Sequence, residues 1–374
     1  MKMNILILTS DAGFGHRKAA EALAVVFQQT YADEVEVTIA NPFDDDEVPD
    51  IVRNLESGYD EMVTEDPTFY QLAYAATDAP VVAQLMQQIS TTVLLQTMRK
   101  VIRAHQPDAI ITTYPAYIQA AIRARDELNS NAPVAVVVTD LITVHSLWFH
   151  KRADLTFVPT GHVMKQAKEQ GLKPNQLMLS GLPVHPDVVT EERDKAELRR
   201  DLNWEVDMDT ILVVGSTRAR QTANIARLLD QSGLEIQVAA IAGGDQELKE
   251  RLDSIAWRGC VHVYGFVDNM PEMMHAADMI ACKAGGLIVT ESLAVGLPLI
   301  LYQALPGQEV GNVRYVVESG AGAWSPGPIG VLTTAYAWLT GDKAELKKFR
   351  AAARRVGKPR AAFDIADRVM KAIR

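Results

Sequence analysis

The chain has 374 residues, 48% hydrophobic and 22% charged, a balance that suits folded globular domains and excludes extensive disorder. At about 150 residues per domain that length predicts two domains, possibly a third. Lys+Arg of 37 against Asp+Glu of 47 gives a net charge of -10, which argues against a nucleic-acid partner, and two cysteines cannot build a disulfide framework or a cysteine-rich zinc site.

From the N-terminus, Asn4-Ile5-Leu6-Ile7-Leu8 is too short for a signal-peptide core and reads as a first buried strand. Short β-rich runs then alternate with helical patterns. Strands are predicted at 3–9, 35–40, 108–113, 134–139, 155–158 and 177–180, and again near 211–215, 236–242, 261–263, 278–282 and 298–301. Two such series predict an α/β protein with two doubly wound, Rossmann-like domains facing a central cleft. The boundary is expected between Gly181 and Arg193, where Pro183, Pro186 and a charged run break the pattern. A last helix is predicted over roughly 342–374, long enough to return to the first domain. No segment has the composition of a transmembrane span. The uncharged stretch 79–98 carries Val81, Val82, Leu85, Met86, Ile89, Val93, Leu94 and Met98 at helical spacing, either as a core helix or as an interfacial face followed by Arg99, Lys100 and Arg103.

Ligands of doubly wound sheets bind beyond the carboxyl ends of the strands, so the chemistry is sought in those loops. The first strand runs into Thr9-Ser10-Asp11-Ala12-Gly13-Phe14-Gly15-His16 and then a helix. Gly13 and Gly15 permit close backbone approach, but the third glycine of a dinucleotide fingerprint is replaced by Lys18, which disfavours NAD. His16, at the positive end of the helix dipole, is expected to stay neutral, either as a general base or as a simple capping residue.

In the second half, Met279-Ile280-Ala281-Cys282 leads into Lys283-Ala284-Gly285-Gly286 and a helix. Two glycines before a helix N-terminus with a lysine alongside form a diphosphate site. Glu291, just over a turn into that helix, has the chemistry to accept ribose hydroxyls, and Gln308, Glu309 and Asn312 after the next strand have the chemistry to grip a sugar.

With these residues in hand, the chain resembles the diacylglycerol glycosyltransferases of the monogalactosyldiacylglycerol synthase and processive glucosyltransferase type, in glycosyltransferase family 28. The resemblance is carried by Leu6 to His16, by Val138-Thr139-Asp140 with His145, Trp148 and His150, by Gly181-Leu182-Pro183-Val184, by Gly265-Phe266-Val267, and by Lys283 through Gly307-Gln308-Glu309 to Gly320. It implies a GT-B fold, with an N-terminal acceptor domain over 1–185, which a returning helix over 355–374 can complete, and a UDP-sugar domain over 186–354. The reaction it implies is inverting transfer of galactose or glucose from a UDP-sugar to the hydroxyl of diacylglycerol, giving a β-glycosyl-diacylglycerol without a prosthetic group or structural metal.

Carried over residue by residue, the resemblance makes His16 the base, on a loop with Gly13, Phe14 and Gly15. Trp148 then belongs to the acceptor side, and Asp140 either orients a catalytic group or shapes the acceptor site. Lys283, Gly285 and Gly286 would hold the diphosphate, Glu291 the ribose, Phe266 the uracil segment, and Gln308 with Glu309 the hexose. A lipid acceptor implies a protein working at a membrane surface, peripheral to its cytoplasmic face. Two departures stand out. His185 follows the Gly-Leu-Pro-Val turn where many relatives have Arg, and the loop after the first strand of the second domain, Gly215-Ser216-Thr217-Arg218-Ala219-Arg220, has one glycine. Ser216 and Arg218 are the donor-side candidates there, and Arg218 or Arg220 could supply the missing charge. The alternatives are a transferase with another acceptor, a sugar-nucleotide epimerase, or a non-catalytic UDP-sugar-binding regulator.

Overall fold

The computed structural model describes residues 2–11, 14–45, 48, 80–216, 219, 221–307 and 309–374. The chain divides into two compact units, Met1–Pro186 with Arg360–Arg374, and Asp187–Pro359.

The first unit is built on strands β1 (Met3–Leu8), β2 (Val35–Ala40), β3 (Ala109–Thr112), β4 (Val134–Val137), β5 (Leu155–Val158) and β6 (Leu177–Leu179). They pair in the order β2-β1-β3-β4-β5-β6, and every pairing is parallel. Alternation along β1 sends Ile5 and Ile7 to one face and Leu6 and Leu8 to the other, and each face meets its own helical layer. Under Ile5 and Ile7 lie Leu23, Val26 and Phe27 of helix α1 (Phe14–Tyr31). Under Leu6 and Leu8 lie Leu94, Met98 and Ile102 of helix α2 (Pro80–His105), with Ile118 and Ala121 beside helix α3 (Ile118–Glu127).

Of the two readings of 79–98, the core helix is the one that holds where the structure describes its side chains. Leu94 and Met98 are fully buried in the core, because the same i, i+4 spacing that makes an apolar face serves a domain interior equally well. Arg99 pairs with Glu127, and Lys100 lies 3.8 Å from Asp45. The side chains of Val81, Val82, Leu85, Met86 and Ile89 lie outside the described residues. Among the described residues no helix is long and apolar enough to cross a membrane. Helix α4 (Gly161–Glu169) completes the early part of the unit, capped by the Thr160 hydroxyl on the Val163 N–H.

The second unit repeats the plan with β7 (Asp209–Val214), β8 (Ile236–Ile241), β9 (Cys260–Tyr264), β10 (Met279–Lys283), β11 (Leu299–Gln303) and β12 (Gly322–Trp324), paired in parallel in the order β12-β11-β10-β7-β8-β9. The edge strand β12 was not among the predicted strands; three residues leave no periodic signal. The helices are α5 (Lys195–Asp201), α6 (Thr222–Asp230), α7 (Gln246–Asp253), α8 (Met270–Ala276), α9 (Gly286–Val295), α10 (Val310–Glu318), α11 (Gly327–Leu339) and α12 (Ala344–Val356). A buried carboxylate ties several of them together. Asp278, just before β10, accepts from Arg199 at 2.6 Å and Lys195 at 2.8 Å on α5, from the Thr210 N–H of β7 at 2.9 Å, and from Arg350 on α12 at 3.1 Å.

The predicted single C-terminal helix is two. Helix α12 ends at Gly357, and Pro359, which lacks an N–H to donate, separates it from helix α13 (Ala361–Ile373). Helix α13 belongs to the first unit, where Ile365, Val369 and Met370 join the α1 layer and Asp367 accepts from the Tyr31 hydroxyl at 2.6 Å.

Each sheet reverses its strand order once, between β1 and β3 in the first unit and between β7 and β10 in the second. At such a point neighbouring loops leave in opposite directions and open a crevice at the carboxyl ends. The loops beyond these four strands begin with Thr9, Thr113, Gly215 and Ala284, the last directly after Lys283.

Candidate active site

In the first unit, His16 occupies the first turn of α1, on the loop that leaves β1. Its Nδ1 lies 2.6 Å from the hydroxyl of Thr139, two residues beyond β4. The Thr113 hydroxyl, beyond β3, lies 3.1 Å from the His16 carbonyl and 2.8 Å from the Thr9 hydroxyl, pinning the helix start to the sheet. Tyr114 meets the imidazole edge to face at 5.1 Å, and Trp148 lies at 6.0 Å. Burial lowers the pKa of His16 below the ordinary imidazole value, opposed by the negative charge of Asp140 and by the Thr113 carbonyl. The ring is therefore neutral at physiological pH, with a carboxylate nearby to stabilise the cation it becomes on taking a proton.

Asp140 itself is held by Trp148, whose indole N–H donates to Oδ2 at 2.7 Å. Trp148 is fully buried on the short 3-10 turn Ser146–Trp148, capped by His145 accepting from the Leu147 N–H at 3.2 Å. It supports the site from beneath. Gly15 is partly buried, and a side chain there would meet nothing within 4 Å. Gly13 and the Phe14 side chain lie outside the described residues. The threonines around His16 were absent from the predicted site. Thr113 and Thr139 follow the neighbouring strands β3 and β4, Thr113 directly at the reversal point, which is the signal that could have found them.

In the second unit, the register between β10 and β11 shifts between Cys282 and Lys283, so the strand pairing is irregular where Lys283 leaves the sheet. Gly285 caps α9 and Gly286 begins it, leaving the first-turn amides of that helix available to an anion. A side chain on Gly285 would stand 3.6 Å from Lys283 Nζ and 3.7 Å from Glu309 Oε1, so both groups lie directly over the helix start. Lys283 is paired with Glu309, the N-cap of α10, whose other oxygen accepts the Leu305 N–H at 2.8 Å. Asn312, expected to face a sugar, is buried and donates to the Ala284 carbonyl at 3.0 Å, holding the glycine turn in shape.

Glu291 is half-buried on α9, while Phe266 is 82% exposed just beyond β9. Ser216 is half-buried after β7. Gly215 before it is a packing residue. A Cβ there would fall 2.5 Å from a Leu248 methyl and 2.8 Å from the Thr222 hydroxyl. Arg218, Arg220 and Gln308 lie outside the described residues. A hollow of about 890 Å³ lined by Trp204, Asp209, Ile236 and Cys260 lies at the opposite, amino-terminal edge of this sheet, away from the helix start that can hold a phosphate.

Residues 16–184 match the family model of monogalactosyldiacylglycerol (MGDG) synthase, and residues 210–323 match the glycosyltransferase family 28 C-terminal domain. Monogalactosyldiacylglycerol synthase 1 of Arabidopsis thaliana is 34% identical over 371 residues, covering 96% of this chain and 69% of the relative. The chain belongs to the monogalactosyldiacylglycerol synthase family. The spinach (Spinacia oleracea) synthase is 32% identical over 374 residues, covering 96% of this chain and 71% of its own.

Solved structures place this family member's fold. The UDP-GlcNAc 2-epimerase of Neisseria meningitidis, bound to UDP-GlcNAc, superposes with a TM-score of 0.63 at 14% identity, covering 99% of this chain and 100% of its own. Acinetobacter baumannii MurG gives 0.62 at 16% identity, with 99% and 100% covered. At such identity the likeness concerns architecture alone. The fold is GT-B, and with the family match the chain is a glycosyltransferase of family 28.

Proposed function

We propose that the chain transfers galactose from UDP-galactose to the free hydroxyl of diacylglycerol, with inversion at the anomeric carbon, to give a β-galactosyl-diacylglycerol. The observation that carries this reading is the near full-length relationship to relatives named for making monogalactosyldiacylglycerol. The half-buried imidazole of His16, whose pKa lies below the ordinary value, supports its chemistry.

In this reading His16 takes the proton of the acceptor hydroxyl as that oxygen attacks the anomeric carbon on the face opposite UDP. The bond to the diphosphate breaks as the new glycosidic bond forms, and inversion of an α-linked donor gives the β product. Asp140 stabilises the imidazolium electrostatically, and Trp148 fixes the carboxylate. The departing diphosphate gathers negative charge, which the amides of Gly286 and the turn beyond it, together with Lys283, are placed to stabilise. Glu291 takes the ribose hydroxyls, the exposed ring of Phe266 lies beside the uracil, and Gln308 with Glu309 meets the hexose. Ser216 and Arg218 line the donor loop beyond β7, and the protein works peripherally at a membrane surface, where its acceptor resides.

The test offers the full chain labelled UDP-galactose, UDP-glucose and UDP-N-acetylglucosamine in parallel, with diacylglycerol in mixed micelles. A labelled β-galactolipid from the first donor is expected. UDP binding without any glycolipid product would overturn the reading, as would an α-linked product.

A further inference from the structure

We propose that Thr139 is the positioning residue of His16, its hydroxyl holding Nδ1 so that the ring proton sits there and Nε2 carries the lone pair. This rests on the reading of His16 as the base.

A neutral imidazole has two tautomers, and only the nitrogen without a proton can accept one. The 2.6 Å contact between Nδ1 and Thr139 Oγ1 satisfies one ring nitrogen. No other side chain among the described residues hydrogen-bonds the ring, and with Nδ1 committed to Thr139 the proposal leaves Nε2 to meet a substrate hydroxyl. The Thr113 carbonyl, which can only accept, lies 3.5 Å from Thr139 Oγ1 and gives that hydroxyl a direction for its own hydrogen, leaving its oxygen to accept from Nδ1. The chain of groups is thus Nδ1–H to Thr139 Oγ1, and Thr139 O–H toward Thr113 O.

The arrangement is rigid. Thr139 is 8% exposed, two residues beyond the central strand β4, and a β-branched side chain has few rotamers to choose from. When Nε2 takes a proton, Nδ1–H still donates to the same oxygen, so no rearrangement accompanies the transfer. The titratable groups facing the ring are Asp140, from the loop after β4, and Tyr114, from the loop after β3. Neither replaces a hydrogen bond at Nδ1.

The experiment compares Thr139→Val, nearly isosteric but without the hydroxyl, Thr139→Ser, which keeps it, and His16→Ala, all in the full chain. Thr139→Val should lower kcat roughly 10- to 100-fold, leave the KM for the nucleotide sugar unchanged, and move the acid limb of the kcat profile to lower pH, because the imidazolium loses an acceptor. Thr139→Ser should stay within about threefold of wild type. A Thr139→Val enzyme with wild-type kcat and an unmoved acid limb would overturn the proposal. Nitrogen-15 spectra of histidine-labelled wild type supply a readout that needs no variant. A protonated Nδ1 in neutral His16 is expected, and a protonated Nε2 would sink the idea. If His16→Ala itself retains transfer, the base reading fails first; if it is inactive while Thr139→Val is normal, only the role of Thr139 falls.

Discussion

Glu309 holds the ammonium of Lys283 with one carboxylate oxygen and the N–H of Leu305 with the other. Residues 26 positions apart are thereby locked over the first turn of α9, where a diphosphate would sit. Glu309 is 5% exposed, so both bonds are made out of bulk water.

The pair separates stability from binding. Lys283→Met leaves a buried carboxylate without its cation, a change that costs about 3 kcal/mol or more. Adding Glu309→Gln removes the orphaned charge and should recover most of that loss in a denaturant titration. UDP affinity should fall at least about tenfold in Lys283→Met and stay low in the double variant, since the phosphate's cation is still missing. Recovery of UDP binding along with stability would show that the lysine serves only the fold.

Asp278 predicts a pH-dependent stability of the second unit. Its cations and the Thr210 N–H hold its pKa down to about 2 despite the burial that opposes ionisation. A carboxylate with a depressed folded pKa contributes stability above its unfolded pKa near 4, and that stability is lost as pH falls toward 2. The shift corresponds to about 2 kcal/mol. Asp278→Asn should therefore flatten the dependence of unfolding free energy on pH between about 4 and 2, and should cost about 3 kcal/mol at neutral pH by leaving Arg199 and Lys195 without their carboxylate. An unchanged pH slope in the variant would refute this.

Sequence reasoning reached the sheets because their strands are buried on both faces, so runs such as Ile5 to Leu8 and Ile236 to Ile241 stand out without alternation. It reached the loop ending in His16 and the Lys283-Ala284-Gly285-Gly286 turn because strand, glycine and helix start are local signals. What a side chain touches across the fold was less legible. The face carrying Leu94 and Met98 has the same pattern whether it meets lipid or Tyr117, Ile118 and Trp148. Glu309 and Asn312 were read as sugar ligands by type, and the contacts they make within the fold, Glu309 with Lys283 and Asn312 with the Ala284 carbonyl, left no mark in the sequence. The break between α12 and α13 was written in Gly357 and Pro359, but the length of the surrounding pattern masked it.

The returning helix α13 offers a test confined to the first unit. Ile365 is fully buried against the layer formed by Leu23, Val26 and Phe27. Ile365→Ala removes three buried carbons and should cost roughly 2–5 kcal/mol. Protease cleavage within 1–186 should accelerate while the second unit, and with it UDP binding, stays intact. Equal loss of UDP affinity would mean that the two units do not report separately.

With His16 as the proposed base, its pKa sets the acid limb of activity. Burial is the largest influence on its pKa and lowers it, and Asp140 and the Thr113 carbonyl offset only part of that effect. As a base it works only when unprotonated, so activity should hold as pH falls past 6.5, the ordinary imidazole value, and then decline as the folded pKa is crossed. Asp140→Asn removes the charge that favours the imidazolium. The limb should then move to still lower pH, and kcat at neutral pH should fall about tenfold or more, because the cation formed during transfer loses its counter-charge. The profile of kcat/KM for the wild type and Asp140→Asn checks both signs. A limb above pH 6.5 in the wild type would mean that burial does not dominate the pKa of His16, and a limb unmoved or shifted upward in the variant would mean that the carboxylate does not act on His16 and that Asp140 serves the acceptor site through Trp148.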